Sequence, residues 1–327
     1  MTVLCRLLGV SKQAYFKRDE SSVMKKAARE SFAIEYIRNV REKDPGIGGM
    51  KLWHMYRRYF NGNAPLGRDS FEDIVHRHGL KVRQKTRRPR TTDSTHGLPV
   101  YPDLVKDLIP TCANSIWVAD ITYIPIWLDK CTYVFCYASL VMDSYTKEII
   151  GWSIGPTLEA SYPIEALKMA LSRLVEGGSL PSTGLIHHSD RGVQYASAEY
   201  VNMLKRHGIR VSMTESGDPK DNAQAERINN TLKNELLKGM RFTDIRQVKD
   251  AVRKAVAFYN SERPHMSLDM MTPSEACGHN GEIRKLWNSY REKAIKEKQV
   301  SCEIPEKSIP LASVKGSPSG QALQSTL

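Results

Sequence analysis

The chain has 327 residues and carries a formal net charge of +12, enough length for roughly two domains with cores of their own and enough basic excess to favour a polyanionic partner through counterion release. Hydrophobic residues make up 41% and charged residues 26%, which excludes a disordered or fibrous chain. No apolar run approaches the ~18 residues needed to cross a bilayer, and Met1 to Arg6 lacks a signal-peptide core, so a cytoplasmic protein with no membrane partner is expected.

Six cysteines stand at 5, 112, 131, 136, 277 and 302 without a CxxC pair. That spacing predicts reduced, mostly structural thiols rather than a zinc module. At the N-terminus, residues 4–17 read as helix, turn, helix, with Gly9 at the turn and Ser11 as a cap. A helix is predicted over 23–43, with Ile34, Ile37 and Val40 on one side, and Pro45 to Gly49 stops it. Helices near 50–60 (Leu52, Met55, Tyr56) and 68–79 (Phe71, Ile74, Val75, with Ser70 as the cap) follow. Lys81, Arg83, Lys85, Arg87, Arg88 and Arg90 then fall within ten residues that hold no acid. A solvated surface would intersperse its signs, so the strip is expected to touch nucleic acid, and the short helices before it suit a helix-turn-helix reader. Residues 84–112 show no sustained period and read as a linker.

From 113 the pattern changes. Apolar runs at 115–125, 132–142 and 147–154 predict an antiparallel meander. A helix at 161–175 puts Ile164, Leu167, Leu171 and Leu174 on one face. A strand at 184–189, a helix at 197–207, a strand at 209–213 and helices at 221–238 and 244–261 complete the series. The fold class is α/β: a mixed sheet flanked by helices, preceded by an all-α helix-turn-helix domain. The tail from about 292 begins charged and helical and ends in a Ser, Gly and Pro-rich stretch that reads as disordered.

Three acids carry the chemistry. Asp120 sits mid-strand, with Val118 and Thr122 on its face. An unpaired buried carboxylate costs several kcal/mol, so it needs a partner: a metal ion or, alternatively, a Lys or Arg. Asp190 follows the strand that ends at Ser189, where α/β folds place ligands. His187 and His188 precede it, but adjacent strand residues point to opposite faces and do not share one zinc ion. Glu226 lies on a helix opened by Asp221 and Asn222, with Asn222, Glu226, Asn230 and Lys233 at helical spacing. Together the three supply hard oxygen ligands able to hold two Mg²⁺ ions about 3.5–4 Å apart, an arrangement suited to in-line phosphoryl displacement.

The segments that hold these acids are Trp117-Val118-Ala119-Asp120-Ile121-Thr122-Tyr123, Ser189-Asp190-Arg191-Gly192-Val193-Gln194-Tyr195, Gly217 to Glu226, and Tyr259-Asn260-Ser261-Glu262-Arg263-Pro264-His265. Through them the chain resembles the OrfB product of the insertion-sequence-3 family of transposases, relatives of retroviral integrases, over about residues 1–280. Thirty-five residues separate Asp190 from Glu226 and Lys233 stands seven after it, both as in that family's signature. The resemblance implies an RNase-H-like core and Asp120, Asp190 and Glu226 as catalytic metal ligands. It implies Mg²⁺ as cofactor, with Mn²⁺ as substitute, and 3′-end cleavage and strand transfer on double-stranded DNA, at the element's terminal inverted repeats and at target DNA. Lys233 would touch DNA, with Asn222 and Arg263 in support and Lys85, Arg87, Arg88 and Arg90 on the backbone. An upstream-frame product (OrfA), joined by frameshifting, a homo-oligomer on DNA and a nucleoid-associated location in a bacterial cytoplasm are also implied.

The organisation expected is a helix-turn-helix-like segment at 1–26, a helical DNA-binding domain at 27–90, a linker at 91–112, the catalytic core at 113–280 and a tail at 281–327. The competing readings are a non-catalytic DNA-binding regulator, a nuclease that cuts without joining, and a degenerate transposase.

Overall fold

A computed structural model describes residues 20–82, 97–176, 184–215 and 222–303, with isolated positions before residue 20. The segment expected as helix-turn-helix over 4–17 lies almost wholly outside the described residues, and Lys85, Arg87, Arg88 and Arg90 lie wholly outside them, as does the tail beyond 303. Three helices open the described chain: α1 (Glu20–Lys43), α2 (Gly49–Tyr59) and α3 (Arg68–Arg77). Ala33, Ile37, Leu52, Tyr56 and Phe71, spaced by whole turns, are fully buried between them. Ser70 does not cap α3; Gly67 takes the N-cap position and offers no side chain.

The sheet contains β1 (Ile116–Trp127), β2 (Tyr133–Asp143), β3 (Ile149–Gly155), β4 (Ile186–Ser189) and β5 (Arg210–Met213), in the order β3-β2-β1-β4-β5. The first three form the antiparallel meander, while β4 joins β1 and β5 joins β4 in parallel. A meander continued by parallel strands on the far side of β1 is the RNase-H-like arrangement. Helix α4 (Ser161–Glu176) packs on β3 and β2, and its first turn holds no acid. A short helix, α5 (Val193–Ala196), leads into α6 (Ala198–Arg206), which Ser197 caps by accepting from the Tyr200 amide. Then come α7 (Ala223–Thr231), a π-helical turn at Leu232–Leu236, α8 (Ile245–Ser261) capped by Asp244, and the short α9 (Pro273–Ala276) with its Thr272 and Glu275 capping box. Helix α10 (Tyr290–Glu303) belongs to a second unit that starts at Ser289.

Period two in β1 sorts its residues onto two cores. Trp117 and Ala119 pack with Leu167, Leu171, Tyr200 and Leu204 on one face. Ile116, Val118, Ile124 and Ile126 face the other, where one continuous core includes both α1–α3 and α7–α8. The helical layer is therefore seated on the sheet's own core. The second half of the stretch expected as a linker also packs: Val105 is buried, and the Leu104 amide donates to Ser212 Oγ at 2.9 Å.

The joint between the helical layer and the sheet is polar and tight. The turn after α1 lays Gly46 directly on the backbone of Glu235 in the π turn, and the Gly46 amide donates to Glu235 O at 3.0 Å. A Cβ at position 46 would collide with the Glu235 Cα and carbonyl, so only glycine permits this approach. Gly46→Ala should destabilise the protein by about 1–3 kcal/mol in urea denaturation. Gly278→Ala, where a Cβ meets nothing within 4 Å, should stay within about 0.5 kcal/mol of the parent. Equal stabilities for the two variants would remove the constraint.

Candidate active site

The register of the parallel pair sets the site. Val118 stands opposite His188, so Asp120 and Asp190, each two residues further along, leave the adjacent strands at the same level. Strand β4 ends at Ser189 while β1 continues to Trp127. Helix α7 comes in against β1 beyond that end, and two asparagines tie it there. Asn222 Nδ2 donates to Ala119 O at 3.1 Å, and Asn229 Nδ2 donates to Asp120 Oδ2 at 2.7 Å. Glu226 lies between these two anchors, in the first turn of α7.

The electrostatics follow from that convergence. Burial lifts the Asp120 carboxyl from the ordinary carboxylate range to about 7, with the charges of Asp190 and Glu226 adding to it. Donation from the Ile121 amide at 2.8 Å and from Asn229 works against this and does not cancel it. Asp190 Oδ1 accepts from the Gly192 amide at 3.0 Å. Gly192 has an ordinary φ of −60°; a Cβ there would sit 3.0 Å from Asp190 Oδ1, close enough to make that carboxylate give by a few tenths of an ångström. Arg191 turns away and donates through Nε to Thr214 O at 2.7 Å, fastening the end of β4 to the chain after β5. Lys233 reaches from the π turn to place Nζ 4.1 Å above the Tyr123 ring. Burial lowers its pKa, and the nearby Asp120 opposes that shift.

His187 and His188 do face opposite ways: His187 Nε2 meets Tyr200 OH at 2.9 Å, and His188 Nδ1 meets Ser212 Oγ at 2.9 Å. Among the described residues no three His, Cys, Asp or Glu side chains are gathered closely enough to hold an ion. The donor set nonetheless suits a hard divalent cation in kind: three carboxylates, mutual repulsion that raises Asp120, and the buried Asn222 Oδ1 and Asn229 Oδ1 without a hydrogen-bond donor.

Two residues expected to support DNA contact are buried. Arg263 is 4% exposed, and its guanidinium grips Glu235 in a bidentate pair of 2.7 and 3.0 Å, with Asp44 at 3.8 Å. It braces the π turn and has no surface to offer a phosphate. Asn222 is also buried and spends its amide on β1. Asn230 is exposed; the stripe that faces the acids runs Asn222, Glu226, Asn229. Sequence reading passed over Asn229, although its position three after Glu226 places it one turn along the same face. The long helix expected over 221–238 is α7 followed by the π turn.

Two models described as integrase core domain match the chain, over residues 110–219 and 207–273. It is 32% identical over 286 residues to transposase InsF for insertion sequence IS3A of Escherichia coli (strain K12), covering 83% of this chain and 92% of that protein. It is also 32% identical over 279 residues to the 31 kDa protein of insertion element IS600 of Shigella sonnei, covering 83% and 96%. The chain belongs to the insertion-sequence-3 family of transposases. It is accordingly a DDE-type polynucleotidyl transferase that functions in DNA transposition. The transposase is also 26% identical over 279 residues to the transposase for insertion sequence element IS629 of Shigella sonnei, covering 84% and 90%. A solved structure of the HTLV-2 integrase catalytic core domain in complex with magnesium aligns with 51% of the transposase and 97% of that chain, at 18% identity and a TM-score of 0.37.

The raised Asp120 carboxyl makes the transposase's stability depend on pH. Between the ordinary carboxylate value and about 7, the folded protein keeps a proton that the unfolded chain releases. Stability therefore falls as pH rises through that window. In chelator, Asp120→Asn should flatten this fall by up to about 4 kcal/mol, read by urea denaturation between about pH 4 and 8. An unchanged slope would show that Asp120 ionises normally.

Proposed function

We propose that the transposase cleaves the 3′ ends of its element's terminal inverted repeats and joins them to target DNA, with Asp120, Asp190 and Glu226 as the catalytic metal ligands. The observation that carries this reading is the alignment of Asp120 and Asp190 on adjacent parallel strands, with the helix of Glu226 tied to the same strand by Asn222 and Asn229. The ligand set would hold two Mg²⁺ ions, for which Mn²⁺ can substitute. When bound, the ions supply Lewis acidity, neutralising charge on the phosphodiester and on its attacking and leaving oxygens.

The chain's own residues do the positioning. Asn229 keeps one Asp120 oxygen in a fixed direction, and the Gly192 amide does the same for Asp190. Lys233, held by the Tyr123 ring beside the acids, would take a phosphate next to the scissile one. Lys85, Arg87, Arg88 and Arg90 would grip the backbone without reading sequence. The work would be done in the bacterial cytoplasm on nucleoid DNA; among the described residues no helix is long and apolar enough to cross a membrane.

Asp120→Asn, Asp190→Asn and Glu226→Gln should each lower strand transfer on labelled terminal DNA by about 10²-fold or more, while DNA binding persists. Mg²⁺ should raise the melting temperature of the parent protein and leave that of each variant unmoved. Transfer retained by one variant would remove that residue from the site.

Joining two ends requires at least two subunits on DNA. Residues 1–30 contain no heptad run long enough to pair them. The upstream-frame product OrfA is therefore the proposed partner, supplying end recognition and pairing as a fusion. In gel-shift and end-pairing assays the isolated chain should bind terminal DNA weakly and pair it poorly, and the fusion should restore both. Equal pairing by the two proteins would show that this chain suffices.

A further inference from the structure

Beyond the end of β4, the hairpin of β1 and β2 carries a row of aromatic rings that the acidic site does not use. Tyr123 packs against Phe135 with ring centroids 4.8 Å apart, Phe135 against Tyr133 at 5.2 Å, and Tyr133 against Trp127 at 5.0 Å. The strand register explains the row: Tyr123 faces Tyr137, Pro125 faces Phe135 and Trp127 faces Tyr133, all on one side of the hairpin. The rings meet edge to face, at interplanar angles of 62–67°. Tyr133 is 46% exposed and Phe135 39%. A cation stands at each end of the row, Lys233 Nζ 4.1 Å over Tyr123 and Arg241 Cζ 4.1 Å over Trp127. Arg241 is fixed there by donating to Asp129 O at 2.7 Å, and the Trp127 amide is held by Phe242 O at 2.8 Å.

Cross-strand aromatic pairs stabilise a hairpin by themselves, but that purpose requires neither solvent-exposed faces nor flanking cations. A soluble protein rarely leaves such a patch uncovered. We propose that this aromatic row is a binding platform for unpaired DNA bases, which stack on Tyr133 and Phe135 while Lys233 and Arg241 flank the adjoining phosphates. The charge of the two ends selects a polyanion over an apolar partner. The rings select an unpaired base, because both faces of a base inside a duplex are already covered by its neighbours. Tyr123, the end of the row under Lys233, lies on the same strand as Asp120, three residues further along. The proposal rests on the strand-transfer reading only for where the unpaired bases arise.

The test measures binding of the full chain in chelator, so that a failure of the metal site leaves it unaffected. The probes are a thymine-only single strand, a duplex with a single-stranded 3′ extension, and a blunt duplex, each read by fluorescence anisotropy. The double variant Tyr133→Ala/Phe135→Ala should bind the first two on the order of tenfold more weakly and the blunt duplex unchanged. Phe135→Leu, which keeps an apolar side chain of similar bulk, guards against unfolding and should weaken the same two probes by several-fold. An equal loss on all three probes, or no loss, overturns the platform. So does a parent protein that self-associates in sedimentation and a double variant that does not, because a second copy would then be the occupant of this face.

Discussion

Two carboxylates at one level of adjacent parallel strands, and a third on a helix tied to the same strand, set the terms for the rest of the structure. Like charges in a partly desolvated place repel, and the lift of the Asp120 carboxyl to about 7 measures that repulsion together with burial. A fold can keep such an arrangement only if the groups around it hold the acids in place. Backbone amides do part of this: Ile121 donates to Asp120 and Gly192 to Asp190. Asn229 completes it from the helix side. Each is a donor without net charge, so the acids are oriented and their negative charge is left for a ligand to meet.

The bracing reaches well past the sheet. Helix α7 passes into the π turn at Leu232–Leu236, where Leu232 and Leu236 are fully buried while Glu235 turns to Arg263 and Lys51. Burial alone would push the Glu235 carboxyl up, but the two cations outweigh it and hold it below the usual range; burial, with Glu235 nearby, raises Asp44. Gly46, from the turn after α1, lies on the backbone of the same residue. The helical layer and the helix that carries Glu226 are thereby fixed through one short π turn. Irregular turns of this kind inside helices often occur beside functional sites. Removing one partner from such a buried network costs more than the network contributes, since it leaves a charge with nothing to meet it.

Much of this was legible in the chain itself. Apolar periodicity located the meander, α4 with Ile164, Leu167, Leu171 and Leu174 inward, and the alternation that separates His187 from His188. What escaped was non-local. In the sequence Arg263 reads as a supporting DNA contact, and only the fold shows Glu235, twenty-eight positions away, closing on it. Asn229 is an ordinary polar residue until β1 supplies Asp120 at 2.7 Å. Nothing in Leu232 to Leu236 distinguishes a π turn from continued α-helix, and the partners that meet it, α8 and Gly46, lie far away in the chain. Gly192 was read as a residue that permits a turn, and it does so by leaving space for a carboxylate rather than by adopting a left-handed backbone.

The distribution of charge separates attraction from chemistry. The chain as a whole carries +12 and draws DNA through a field that extends about a Debye length, ~10 Å at moderate salt. The acids form a local negative spot inside that field, which a phosphodiester would avoid. Lys233 stands at the boundary between the two, half-buried above Tyr123 and within the field of Asp120. Burial weakens its hold on a proton, and the charge of Asp120 opposes that shift without cancelling it. An arginine in the same place would keep its charge whatever the burial, so the choice of lysine makes this position responsive to its surroundings.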